Sequence, residues 1–81
     1  MSPKTPRNVS GSDLIKLLVK YGYEVARQKG SHIRLSKLSE TGTHHLTIPN
    51  HDPLKLGTLN AILSDAADHL NISKEELINN L

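Results

Sequence analysis

The segment from Arg27 to Arg34 contains the side chains of this sequence that are best suited to chemistry. Its eight residues read Arg-Gln-Lys-Gly-Ser-His-Ile-Arg, so one imidazole lies among three cations, a hydroxyl and a glycine. Histidine changes its charge near neutral pH without help from its surroundings, because its reference pKa is about 6.5. We therefore take His32 as the candidate general acid or general base.

The neighbours of His32 have the chemistry of a phosphate-binding site. Cationic side chains can neutralise a phosphate group and the charge that develops on it during a reaction. A glycine lets the phosphate approach backbone N–H groups, which can donate hydrogen bonds to it. The candidate phosphate ligands, which we take as RNA-binding residues, are Arg27, Lys29, Gly30, Ser31 and Arg34.

RNA is the phosphate ester best matched to such a site, because its ribose 2′-hydroxyl is a nucleophile within the substrate. Cleavage then needs a base that accepts the hydroxyl proton and an acid that protonates the leaving oxygen, and a metal ion is not required. Two alternatives use the same residues without catalysis. The segment can belong to a non-catalytic RNA-binding module, or its basic surface can bind an acidic protein partner.

The other histidines give weaker indications. His44 and His45 are neighbours in a predicted strand or at its start, so their side chains should point to opposite faces. The chain has no cysteine and no His-Glu-x-x-His helix, and we predict neither a metal site nor another cofactor. His51 follows the third predicted strand, where it is either a second site residue that faces His32 or a residue that shapes the turn, and we prefer the structural role.

The charges of the chain are distributed unevenly. Residues 1–37 hold eight basic and two acidic residues, whereas residues 38–81 hold two basic and six acidic ones. A chain with this asymmetry can present a basic surface to phosphate and an acidic surface to a different partner.

Length and composition limit the class of protein. A chain of 81 residues supports one domain, and its core must consist of leucine, isoleucine and valine because it has no Phe or Trp. The absence of cysteine excludes a disulfide framework and fits a reducing compartment. No apolar run approaches the ~18 residues of a membrane span, and the N-terminus does not have the pattern of a signal peptide. We predict a cytoplasmic protein with no membrane partner, a flexible tail at residues 1–8 and a single domain at residues 9–81.

The sequence predicts a first helix ahead of the segment that carries His32. Ser10 is a good N-cap, and Asp13 three residues later makes a variant of the capping box. Gly22 is a typical residue to end this helix in a left-handed conformation. The helix has one apolar stripe, formed by Leu14, Leu17, Leu18 and Tyr21.

A β-hairpin follows the first helix, and its register depends on the length of its loop. A two-residue loop would split the apolar side chains between the two faces. A three-residue loop at residues 29–31 pairs Val25 with Leu35 and Arg27 with Ile33, which keeps the apolar face continuous. We prefer the longer loop.

This register places His32 beside Gln28 on the open face of the hairpin, with Arg34 further along the same face. The remaining elements are a polar loop at residues 38–44, a strand at His45 to Ile48, a helix from residue 55 or 56 to Ala67 and a short helix that Ser73 and Glu76 open with a second capping box. The buried stripe of the longer helix is predicted to be Leu59, Ile62, Leu63 and Ala66. The order α-β-β-β-α predicts an α+β domain in which both main helices cover one face of a three-stranded antiparallel sheet. Double-stranded-RNA-binding domains have this architecture.

Several stretches of the sequence resemble the HicA family of bacterial toxin–antitoxin systems, which is also called YcfA-like. They occur in the family's order and cover about residues 9 to 64. The most specific are Lys-Gly-Ser-His at residues 29–32 and Ile-Pro-Asn-His at residues 48–51. The second of these begins one residue earlier, at Thr47, and the other matching stretches lie at residues 10–18, 21–24, 27–28, 56–59 and 62–63.

The resemblance implies a fold like that of double-stranded-RNA-binding domains and an endoribonuclease that cleaves messenger RNA and so arrests translation. It places the active histidine in the Gly-Ser-His step, which is His32 here. It also implies a HicB-like antitoxin that covers this site, and binding of operator DNA only through the complex of the two proteins. The tail at residues 1–8 and the helix after Ser73 extend beyond the family's usual length and can alter the contacts with the antitoxin.

Overall fold

The elements of the fold occur in the order helix, three strands, helix, helix in the computed structural model of the chain, which describes residues 5–81. The strands pair in the order β1-β2-β3 and both pairs are antiparallel. The predicted α+β layout is therefore confirmed. The elements are α1 (Gly11–Lys20), β1 (Glu24–Lys29), β2 (His32–Ser39), β3 (Gly42–Pro49), α2 (Leu56–Leu70) and α3 (Lys74–Asn79).

Helix α1 begins and ends where the sequence predicts. The Asp13 N–H donates to the Ser10 hydroxyl at 3.0 Å, and the Ser10 N–H donates to the Asp13 carboxylate at 3.2 Å, which completes the capping box. The hydrogen bond from the Ser10 backbone N–H to the Asp13 carboxylate, and to a smaller extent one from the Ser10 side chain, lowers the pKa of Asp13. After the C-cap Tyr21, Gly22 takes a φ of 99°, which favours glycine.

The β1–β2 turn is shorter than predicted. Lys29 pairs with His32, so the turn consists of Gly30 and Ser31 alone, and Gly30 has a φ of 59° as tight hairpin turns require. The predicted three-residue loop is wrong, and with it the position of His32 beside Gln28.

A bulge in β1 explains how the short turn and the apolar pattern coexist. From the turn, Arg27 pairs with Arg34 rather than with Ile33, so that prediction is wrong. The register then shifts between Val25 and Arg27, and Val25 pairs with Leu35 as predicted. The extra residue of a bulge returns the strand to the apolar register that a regular ladder would have lost.

Strand β1 is the least covered part of the sheet. It forms one edge, and each of its six residues is exposed. Val25 is 55% exposed although its partner Leu35 is fully buried. The helices therefore cover β2 and β3 and leave β1 largely uncovered.

The β2–β3 hairpin is longer than predicted. The predicted polar loop at residues 38–44 is wrong, because β2 continues to Ser39, β3 begins at Gly42, and Leu38 pairs with Thr43. Backbone hydrogen bonds extend an antiparallel ladder even where one face meets water, so the lack of an apolar pattern did not end these strands. Gly42, with a φ of 127°, permits the tight turn.

The C-terminal helices confirm the predicted serine cap of α3 but not the predicted end of α2. Helix α2 continues to Leu70, three residues beyond the predicted end, and stops at Asn71, whose φ of 58° is left-handed. The Glu76 N–H donates to the Ser73 hydroxyl at 3.1 Å at the start of α3, as predicted.

All of the core lies on one side of the sheet. Both main helices contribute to one buried cluster with the inward-facing residues of β2 and β3. The largest of the almost fully buried side chains are Leu14, Leu18, Tyr23, Leu35, Ile48, Leu59, Leu63 and Leu77. The opposite side of the sheet, which we call the open face, meets solvent.

The first residues of the chain are described only in part. Residues 1–4 lie outside the described residues, so the flexible tail at residues 1–8 stays a prediction. The Thr5 hydroxyl donates to the Asn60 side chain of α2 at 2.6 Å. Within residues 5–81, the helices are too short or too polar to cross a membrane.

Candidate functional site

Four of the predicted site residues lie together at one end of the open face. With Thr47 of β3, they line a shallow cavity of ≈ 220 Å³. We call these four residues the cationic end: Arg27, Lys29, His32 and Arg34.

The two-residue turn produces this arrangement. It sets Lys29 opposite His32 and Arg27 opposite Arg34, and side chains that are directly opposite in an antiparallel pair share a face. Alternation along β2 then places Ile33 on the buried face between His32 and Arg34. A histidine and three cations thus occupy two adjacent rows of the sheet.

The cationic end is exposed and its charges are available. His32 and the three cations are exposed. Within residues 5–81, the ion pair that the structure shows is His44–Asp65, which lies on the buried side of the sheet. Solvent-exposed cations that no carboxylate neutralises are suited to bind an anion from solution.

The backbone fixes the hairpin tip to the rest of the domain. The Asn50 N–H donates to the Ser31 carbonyl at 2.6 Å, directly after β3. The Gly11 N–H donates to the His51 carbonyl at 2.8 Å. The segment that follows β3 therefore connects the tip, which precedes His32, to the first turn of α1.

Gly11 allows this connection to be close. A Cβ atom at Gly11 would overlap the Pro49 carbonyl oxygen and would lie 3.1 Å from the Asn50 Cα atom. Gly11 is itself buried. The first turn of α1 thus packs directly on the backbone at residues 49–51 only because this position has no side chain.

Not every predicted site residue reaches the cavity. Gly30 and Ser31 form the turn itself and do not line the cavity. The His51 side chain is exposed and does not line it either, while the His51 carbonyl takes part in the contact with α1. A role for His51 as a second site residue stays a prediction.

Sequence reasoning missed Thr47. It lies opposite Arg34 in the β2–β3 pair and lines the cavity with the cationic end. The signal was available, because Leu46 and Ile48 are apolar residues in alternation within a predicted strand, and the residue between them must face the other way.

A second histidine cluster lies on the helix-covered side of the sheet. His44 and His45 point to opposite faces, as predicted. The hydroxyl of Tyr23 is 2.8 Å from His44 Nδ1, and His44 Nε2 is 3.2 Å from Asp65 Oδ1. The rings of His44 and His69 stack with their centroids 4.1 Å apart. The cluster therefore ties β3 to α2.

Tyr23, His44 and Asp65 have the residue types of a nucleophile–base–acid relay, but the tyrosine is not accessible to a substrate. Tyr23 is only 1% exposed, and its burial, with a smaller effect of the Asp65 charge, raises the pKa of its hydroxyl to about 12. A buried and neutral tyrosine hydroxyl cannot attack a substrate in solution. Within residues 5–81, no group of three or more His, Asp or Glu side chains is arranged to hold a metal ion.

We predict an alkaline loss of stability that depends on Tyr23. The pKa of this hydroxyl is about 12 in the folded chain against 10.0 ordinarily, so the native state favours its neutral form. The contribution is fully present below pH 10 and is lost as the pH rises to 12. Denaturant unfolding should show a fall of about 2–3 kcal/mol over this range, at 1.36 kcal/mol per pKa unit.

The phenylalanine variants separate this effect from general alkaline denaturation. Tyr23→Phe should lose about 1 kcal/mol at neutral pH with the hydrogen bond to His44, and its stability should then change less between pH 10 and 12. Tyr21→Phe, at the end of α1, should keep most of the alkaline fall. An equal alkaline fall in Tyr23→Phe and the unchanged protein would contradict the assignment.

The fold and the cationic end define a class of protein, which is a small α+β domain whose open sheet face is basic at one end. A model of the family described as HicA toxin of bacterial toxin-antitoxin matches residues 11–67, which is more than half of the chain. The chain therefore belongs to the HicA toxin family, as the sequence resemblance indicated. No curated protein and no solved structure matches it with significance.

The matched region contains the whole candidate site. It begins at the first residue of α1, includes the three strands and ends within α2. Membership in a toxin–antitoxin family implies an antitoxin as partner. Helix α3 lies outside the matched region, although its Leu77 is fully buried in the core.

Proposed function

We propose that this toxin is an endoribonuclease that cleaves messenger RNA and thereby inhibits translation, with His32 as its catalytic acid or base. The observation that carries the proposal is the cationic end, where one exposed imidazole lies in adjacent rows with three cations that pair with no carboxylate among residues 5–81. Family membership supports the same function.

The proposed step is an internal phosphoryl transfer. The ribose 2′-oxygen attacks the adjacent phosphorus and loses its proton to a base, while the bond from phosphorus to the 5′-oxygen breaks and that oxygen accepts a proton from an acid. His32 fills one of these two roles. Arg27, Lys29 and Arg34 stabilise the negative charge that develops on the phosphate oxygens. The products are a 2′,3′-cyclic phosphate and a 5′-hydroxyl end.

The proposed partner is a HicB-like antitoxin that covers the cationic end in the cytoplasm. Exposed cations without carboxylate partners are suited to bind an acidic surface of another protein. An antitoxin bound there would exclude RNA from His32. Operator DNA would be bound only through the complex of the two proteins.

A cleavage assay tests the proposal. The purified chain is incubated with end-labelled single-stranded RNA in EDTA, and the ends of the products are analysed. We expect cleavage, with cyclic phosphate and 5′-hydroxyl ends. RNA that is bound but remains intact would overturn the enzymatic proposal and would support a non-catalytic RNA-binding module instead.

A growth assay tests the partner. Expression of the chain alone should arrest growth, and co-expression of an antitoxin encoded by an adjacent reading frame should restore it. RNA should compete with the purified antitoxin for the chain, because both are proposed to use the cationic end. Simultaneous binding of RNA and antitoxin without competition would contradict a shared site.

The salt dependence of RNA binding should identify the phosphate ligands. Each cation that neutralises a phosphate of a single strand contributes about −0.7 to the slope of log affinity against log salt concentration. Arg27→Gln and Arg34→Gln should each make the slope less negative by about 0.7. Lys55→Gln, at the exposed N-cap of α2, is the matched control and should leave it unchanged. Equal slopes in all three variants would contradict the assignment.

A further inference from the structure

The open face continues beyond the cationic end along β2 and β3. The next two rows, which we call the distal half, consist of Glu24, Ser36 and His45 in one row and Leu38 and Thr43 in the other. Alternation along the strands puts these side chains on the same face as His32. The distal half is thus a direct extension of the proposed active site.

The distal half contains an apolar side chain that the fold does not use. Leu38 is 79% exposed, the highest exposure among the large apolar side chains of residues 5–81 that stand out as exposed. It lies on the side of the sheet away from the core, so this side chain adds no buried apolar area to the fold. His45, in the adjacent row, presents an exposed ring. A leucine and an imidazole on an open sheet face form a surface against which planar groups can pack.

Charge distinguishes the two halves of the open face. The cationic end has three cations, whereas the distal half has none and includes the exposed carboxylate of Glu24. Phosphate groups should therefore favour the cationic end and be repelled from the row of Glu24. Nucleobases carry no such charge, and they stack on aromatic side chains and hydrogen-bond to polar ones.

The distance between the cationic end and the distal half also suits a single RNA strand that contacts both. Six residues separate His32 from Leu38 along β2, which is ~20 Å at about 3.3 Å per residue. Several nucleotides of an extended strand span this distance. A duplex could not use the surface in the same way, because its bases are already stacked and only a single strand can splay them onto a protein face.

We propose that the open face binds single-stranded RNA along its length, with phosphates at the cationic end and nucleobases packed on Leu38 and His45. The inference rests on the proposed ribonuclease function and deepens it. It assigns the substrate class as unpaired RNA and makes Leu38 and His45 specificity-determining residues. They bind bases a few nucleotides away from the cleaved linkage and take no part in proton transfer.

Cleavage kinetics test the inference with two RNA lengths. On a single-stranded RNA of twelve nucleotides, His45→Ala and Leu38→Ala should each raise KM by about fivefold or more, as expected for loss of one base contact. The kcat should change by less than about twofold, because the groups at the reacting phosphate are intact. On an RNA of three nucleotides, the variants and the unchanged protein should have the same KM. Val19→Ala, an exposed valine of α1 away from the sheet, is the matched control.

Binding measurements separate failure of the inference from failure of the proposed function. Fluorescence anisotropy with a twelve-nucleotide 2′-O-methyl RNA, which has no free 2′-hydroxyl to react, reports affinity whether or not the protein cleaves RNA. We expect about fivefold weaker binding by both variants, and weaker binding of the duplex form by the unchanged protein. Equal affinity of the variants, or tighter binding of the duplex, would overturn the inference even if cleavage is observed. A loss of antitoxin binding without a loss of RNA binding would also overturn it.

Discussion

His32→Ala should reduce RNA cleavage by a factor of about 10²–10⁴, which is the usual contribution of one positioned acid or base. The imidazole lies opposite Lys29 and one row from Arg27 and Arg34, where a bound phosphate would place its ribose within reach. The measurement is the single-turnover rate on labelled single-stranded RNA. Growth arrest on expression should disappear with the cleavage.

The fold and the affinity for RNA should survive this substitution. His32 is exposed and makes no side-chain hydrogen bond among residues 5–81, so its removal leaves no cavity and no unpaired buried group. Thermal unfolding and antitoxin binding of His32→Ala should match those of the unchanged protein. A variant that still cuts RNA and stops growth would refute the assignment of His32.

Gly11→Ala should be strongly destabilising although it adds only one methyl group. The added Cβ would overlap the Pro49 carbonyl oxygen, and backbone cannot move aside as a flexible side chain can. Forcing extra atoms into a packed site usually costs about 1–3 kcal/mol. The hydrogen bond from Gly11 to His51 and the neighbouring bond from Asn50 to Ser31 should weaken together. Urea unfolding at neutral pH measures the loss.

Gly57→Ala is the matched control for this substitution. Gly57 is also in the first turn of a helix, but a Cβ there would meet nothing within 4 Å. Alanine should therefore stabilise α2, by up to about 0.5–1 kcal/mol, since it restricts the unfolded chain and favours the helix. If Gly11→Ala and Gly57→Ala had the same effect, the close contact at Gly11 would not be the cause.

Local signals in the sequence predicted most of the fold. The caps at Ser10 and Ser73 are correct because the N–H groups in the first turn of a helix have no partner within the helix. A serine hydroxyl three residues earlier accepts a hydrogen bond from one of them. The buried stripe of α2 is correct because leucine and isoleucine at helical spacing have to be covered. Such features depend on residues a few positions apart, which is the range that a pattern can report.

The errors arose where the backbone determines the structure. Nothing in the side chains marks the bulge between Val25 and Arg27. The bulge allows a two-residue turn and the apolar register of the strand to coexist, and this need arises only when the two strands pair. The rows beyond Leu35 in β2 likewise have no apolar alternation, so their pairing with β3 was taken for a loop.

The grouping of the candidate site residues was predicted better than the register that brings them together. The sequence identified the histidine and the three cations because they cluster within one hairpin, and either loop length keeps His32 and Arg34 on one face. It could not place His51, which depends on how the segment after β3 packs against α1. That packing depends on Gly11, forty residues away in the chain, and no local pattern reports it.

An uncovered outer strand usually invites another chain to pair with it and so leads to aggregation. Strand β1 carries Arg27 and Lys29, two of the proposed phosphate ligands, on such an edge, yet a bulge increases the local twist of a strand and so removes the flat geometry that a second strand would need. Arg27 and Lys29 also add charges to this exposed edge, and charged side chains on an edge strand disfavour pairing with another chain. The same positive charges that would attract RNA should thus keep the toxin from polymerising while its site remains uncovered.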